Sequence, residues 1–130
     1  MSVQAIHSIL SADTDFSTAS SGGVSSYIAK DGVSKPYSVI YADNSEPIVT
    51  QGNASGKEWR DIVVGCYADT PMVAKGMADL SRAALDGFKG TVEGISLEYC
   101  KYDGIDAEDY DRQLKKAIVE VRYRVCYTLS

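Results

Sequence analysis

The segment from Ala117 to Tyr127 has the cleanest period of two in the chain. Val119, Val121, Tyr123, Val125 and Tyr127 share one side of an extended chain, while Glu120, Arg122 and Arg124 share the other. A period of two sends apolar side chains to one face of a sheet and charged ones to the opposite face, whereas a helix would scatter these residues around its circumference. The chain must therefore build a sheet with one covered face, and the rest of the sequence must supply what pairs with this strand and what covers it.

Upstream segments offer candidates for both. Val3, Ile6, Ile9 and Leu10 fall at helical spacing, with Ser2 as a possible N-cap, and predict a short amphipathic helix over 3–10. Residues 13–26, rich in Ser, Thr, Asp and Gly, read as a loop, followed by a short strand over 27–30 that ends at the turn signal Asp31-Gly32. Tyr37 to Ala42 predicts a strand with Tyr37, Val39 and Tyr41 on one face, and 43–56 reads as a long polar loop ordered on assembly. Trp59 to Ala68 predicts a strand with apolar groups on both faces: Ile62, Val64, Cys66 and Ala68 on one, Val63 and Tyr67 on the other. Thr70-Pro71 starts a helix that runs to about Leu85, with Val73, Met77, Leu80 and Ala84 as its stripe and Gly87 as terminator. Ile95, Leu97 and Tyr99 alternate with Ser96, Glu98 and Cys100 in a further strand, and the acidic segment 103–113 reads as a hairpin connection.

The expected fold is α+β: a mostly antiparallel sheet of four to five strands, with a long helix and a short N-terminal helix packed on one face. At 130 residues, 1–130 is expected to form one domain, since no internal repeat or second core pattern divides it. A net charge of -5 without a concentrated basic face argues against nucleic acid as the main partner. No run of about 18 apolar residues suggests a membrane span. Met1 to Ala5 lacks the basic and apolar parts of a secretory signal, so the expected site of assembly is a cytoplasm. Three scattered cysteines, Cys66, Cys100 and Cys126, fit buried reduced thiols.

A search for chemistry returns nothing that asks for an enzyme. The one histidine, His7, sits inside a helix, so no Cys-His or Ser-His-Asp arrangement and no Cys-His zinc site can be assembled around a second base. The acidic run Asp103, Asp106, Glu108, Asp109, Asp111 lacks EF-hand spacing and reads as a solvated segment or a contact for a basic neighbour. The glycines form no phosphate loop. No catalytic, cofactor-binding or metal residue is assigned, and no cofactor is expected. Nine tyrosines, mostly on predicted strands, fit half-buried sheet packing or subunit contact.

Several local phrases resemble the phage tail completion proteins, also called tail-to-head joining or tail terminator proteins. They are Lys35-Pro36-Tyr37-Ser38-Val39-Ile40-Tyr41, Asp61 to Thr70, and the helix end Ala83-Ala84-Leu85-Asp86-Gly87-Phe88-Lys89-Gly90, then Tyr110 and Asp111 and the strand Ala117 to Tyr127. The resemblance covers about three quarters of the chain and is weakest before residue 35. It implies a structural virion protein of a long-tailed bacteriophage, a homo-oligomeric and usually hexameric ring at the head-proximal end of the tail. The implied partners are other copies of itself, the tail tube protein and the head-tail connector protein, with DNA passing through the lumen without specific binding. Its place would be the virion, after assembly in the host cytoplasm. The alternatives are another neck ring, such as a head-completion or connector protein, and a small soluble α+β binding module.

Overall fold

A computed structural model describes residues 2–27, 36–50, 53–112 and 115–129. In chain order these form α1 (Ser2–Ala12), α2 (Thr14–Ala19), β1 (Val24–Ser26), β2 (Tyr37–Thr50), β3 (Asn53–Ala68), α3 (Pro71–Leu85), β4 (Gly90–Val92), β5 (Ile95–Asp111) and β6 (Lys116–Leu129). The expected α+β class with four to five strands and a long helix is overturned. The chain is mostly sheet: about half of it lies in strands, and the described residues form six of them ordered β1-β2-β3-β6-β5-β4, curled into a half-barrel, with three short helices. β1 joins β2 in parallel and every other pairing is antiparallel.

Two segments read as connections account for most of the difference. Of the loop predicted over 43–56, residues 43–50 continue β2 and 53–56 belong to β3, which pair out to Val49 with Ala54 and Thr50 with Asn53, while 51–52 lie outside the described residues. Residues 103–111 continue β5, pairing with β6 out to Asp111 with Lys116. The loop predicted over 13–26 contains α2, capped by Asp13, whose Oδ1 accepts the Phe16 amide at 2.8 Å, and it also contains β1. Of the strand predicted over 27–30 only Tyr27 is described, directly after β1 at a φ of 66°. Residues 28–35, with the Asp31-Gly32 turn, lie outside the described residues.

The core lies between the helices and one face of the sheet. β6 contributes Val119, Val121, Tyr123, Val125 and Tyr127, and β3 contributes Ile62, Val64, Cys66 and Ala68, as the alternation predicts. Val3, Ile6 and Leu10 of α1, Phe16 of α2, and Met77 and Leu85 of α3 cover them. Each such fully buried aliphatic or Phe side chain contributes about 1.5–3 kcal/mol. α3 begins as expected, with Pro71 in its first turn and Thr70 Oγ1 accepting the Val73 amide at 3.3 Å, and it ends before Gly87 at φ +81°. Its stripe is rotated from the predicted one. Ala74, Met77, Ala78, Ser81 and Leu85 are buried while Val73 is exposed, and a side chain at Gly76 would meet open space. The rotation brings Ser81 against β6, where its Oγ lies 2.7 Å from the buried Tyr123 hydroxyl and also donates to the Ala78 carbonyl.

β5 also departs from the predicted phase. A register shift between Leu97 and Tyr99 turns Cys100 into the core and leaves Tyr99 exposed. β4 and β5 are joined through Glu93 and Gly94, both at positive φ, the backbone of a tight two-residue hairpin.

Two outcomes are expected. Tyr123→Phe removes the buried hydroxyl contact and costs about 0.5–1.5 kcal/mol, and a Tyr123→Phe/Ser81→Ala double-mutant cycle in urea recovers a coupling energy of that size. Burial holds the Cys66 thiol at about 12 against an ordinary 9.0, and Cys100 likewise at about 12. The folded protein therefore keeps these protons longer than the unfolded chain does. Their stabilisation is complete below about pH 9 and declines as pH rises toward 12. Urea midpoints measured from pH 7 to 11 are expected to fall above pH 9, with a shallower fall in Cys66→Ala.

Candidate assembly surface

The opposite face of the sheet carries no helix among the described residues, and its side chains satisfy one another. Asp61 on β3 lies between two arginines of β6, with Arg122 Nη1 at 3.3 Å and Arg124 Nη1 at 3.1 Å. The ladder sets this up: Asp61 is paired with Arg124 and the adjacent same-face residue Val63 with Arg122, so one carboxylate sits beside both guanidinium groups. Tyr41 on β2 donates to Glu120 Oε2 at 2.6 Å. Together these cover Val63, which is fully buried although it faces away from the helices. Of the two apolar groups predicted on this face of the strand, Val63 is thus buried within the chain itself and Tyr67 is half-buried.

Aromatic rings extend the surface in both directions. Trp59 and Tyr99 stand on either side of Cys126 in the ladder and meet edge to face at 5.1 Å, which buries the Cys126 thiol beneath them. The Arg124 guanidinium lies 5.1 Å from the Trp59 ring. At the other end Tyr37 and Tyr67 stack at 4.8 Å, and Gly65 leaves room for the Tyr67 ring: a Cβ there would lie 3.2 Å from it. Burial pushes both of these phenols above their ordinary value. Trp, Tyr and Arg are the residue types that dominate binding energy where protein surfaces meet.

The edges of the sheet are guarded. On one side β1 pairs only with Ser38, Val39 and Ile40, and beyond them β2 carries two register shifts and Pro47, which has no amide hydrogen to donate. On the other side β4 pairs only with Ile95, Ser96 and Leu97. The next residues of β5 are capped by the end of α3. Gly87 N–H donates to the Cys100 carbonyl at 2.7 Å, and the Tyr102 amide donates to Asp86 Oδ1 at 2.9 Å. Arg82 adds its guanidinium 3.9 Å over the Tyr102 ring. Past Tyr102, β5 has two further register shifts.

The residues weighed for chemistry are placed as follows. His7 is a packing residue whose Nε2 lies 2.9 Å from the Val24 carbonyl. The three cysteines are buried and form no disulfide. The acidic run lies along β5, and among the described residues no group of three or more His, Cys, Asp or Glu is placed to hold a metal ion. The Asp61–Arg122–Arg124 group escaped the sequence reading, although its signal was there: one acid on an alternating strand opposite two arginines on the same face of another.

Asp61→Asn leaves two half-buried guanidinium groups sharing a neutral partner and is expected to cost about 1–3 kcal/mol. Urea denaturation of Asp61→Asn against Asp61→Glu measures it, with the glutamate variant retaining more of the stability.

No family model and no curated protein matches the sequence. Among solved structures, a chain in the virion of a native gene transfer agent particle superposes on it with a TM-score of 0.75. The two are 14% identical, and the likeness spans 96% of this chain and 92% of that one. At that identity the likeness is one of fold, over nearly the full length of both chains.

Proposed function

We propose that the chain is a structural protein of a phage-like virion and not an enzyme: a tail terminator-like domain spanning 1–130 that assembles into a ring, six-fold as in the family it resembles. The ring closes the head-proximal end of the tail tube and joins it to the head connector. Assembly takes place in the host cytoplasm, and the net charge of -5 suits a lumen through which DNA slides without sticking. The observation that carries this reading is the full-length likeness in fold to a chain of a virion particle. The sequence resemblance through 35–41, 61–70, 83–90 and 117–127 points the same way.

The surface chemistry supports it. A subunit that must stay soluble before assembly needs guarded sheet edges, because an open edge invites indiscriminate pairing. A closed ring also needs two different patches that fit each other on neighbouring copies. The aromatic and arginine-rich helix-free face supplies one candidate patch, and the two ends of the sheet supply others.

Light scattering across a concentration series, with negative-stain images of the same sample, tests the proposal. Rings of about six subunits, or rings formed once purified tail tubes are added, are the expected result. A monomer that neither assembles nor binds tubes overturns it.

A further inference from the structure

The two ends of the sheet differ in a complementary way. At one end the β2–β3 hairpin outruns its neighbours. β6 accompanies β3 only from Lys57 to Ala68, whereas β2 and β3 remain paired at Val49 with Ala54 and Thr50 with Asn53. The result is a two-stranded arm with no third strand beside it among the described residues, and such ribbons are marginal in water on their own. From Pro47 to Gly56 its sequence contains no charged residue and includes Ile48 and Val49, and the first charge after it is Lys57.

At the opposite end a groove of about 560 Å³ opens between the first turn of α3 and the last residues of β5. Its lining includes the apolar Pro71, Met72, Tyr110, Ala117 and Ile118 together with the charged Glu108, Asp109 and Lys75, the last paired with Asp79. Met72 is 84% exposed and Tyr110 47%, an unusual amount of open apolar surface for a helix start and a strand end. Along this stretch β5 is paired only with β6 among the described strands, and the Tyr110 amide donates to Asp109 Oδ1 at 2.7 Å.

We infer that the groove of one copy receives the β2–β3 arm of a second copy, an inference that rests on the ring reading above. The uncharged arm suits the apolar walls, and Lys57, the next charge in the sequence, is opposite in sign to Glu108 and Asp109, while Lys75 of the same lining is paired with Asp79. The arm and groove of one molecule cannot meet: between Ala54 and Ala68 β3 alone spans roughly 45 Å. The contact therefore joins different patches on successive copies, the arrangement from which rings close.

Cysteines introduced by Ala54→Cys and Met72→Cys test the inference directly, because that separation rules out a bond within one chain and the native thiols are buried. Under mild oxidation of the assembled protein, non-reducing gels are expected to show a ladder of linked copies, absent from either single variant. Met72→Glu, at an exposed position, is expected to leave the circular dichroism and melting temperature unchanged while raising the concentration needed for assembly at least tenfold. Rings that form without cross-linking and tolerate Met72→Glu overturn the arm-in-groove contact and leave the ring reading standing. Monomers under every condition, with tubes present and without cross-links, overturn both.

Discussion

The ladder between β3 and β6 is the constraint on which everything else depends. Twelve consecutive pairs, from Lys57 with Thr128 to Ala68 with Ala117, run without a register shift, while the pairings of β2 with β3 and of β5 with β6 are each interrupted. Side-chain direction alternates at every residue, so a slip of one position would exchange the two faces of a strand. Such a slip in β6 would push Glu120, Arg122 and Arg124 under the helices and expose Val121, Tyr123 and Val125. The ion pairs at Asp61 act with the hydrophobic core here, because only the observed register lets both faces be satisfied together.

Around this straight centre the molecule becomes less regular outward. The outer strands bend through their register shifts, β1 and β4 cover only three residues each, and the end of α3 closes part of the β5 edge with a backbone amide and a carboxylate. Burial follows the same gradient. The centre is sealed on both faces, by helices on one and by a hydrogen-bonded layer of Tyr41, Glu120, Arg122 and Asp61 on the other. Exposed apolar side chains lie toward the ends and edges, with Met72, Tyr110 and Ile105 among them. A rigid middle with unfinished ends is what a repeating assembly asks of its subunit.

What the sequence made legible was what local chemistry decides. The alternation in β6, the Thr70-Pro71 start of α3 and its Gly87 stop each depend on residues within one turn or one strand, and all three appear in the structure. The stripe of α3 was misplaced by one position because Val73 is as apolar as Ala74, and only the position of the sheet decides which is covered. Residues 43–56 and 103–111 looked like connections because they are polar. The described residues among them extend paired strands whose sequence carries no apolar period to read. The phase of β5 was lost at a single extra residue near Glu98, which no propensity announces. As for the candidate surface, its tyrosines and arginines were visible as residue types, but their juxtaposition depended on strand order, which the sequence left open.

The chain contains a single tryptophan, Trp59, and the fold has placed it on the helix-free face, half-buried, with the Tyr99 ring on one side and a guanidinium above it. All indole emission therefore originates from one spot, at the root of the β2–β3 hairpin. Light absorbed by the nearby Tyr99 can pass to it. Whatever covers that face changes the polarity around one fluorophore, so the molecule carries an intrinsic optical reporter of contacts made there and needs no label.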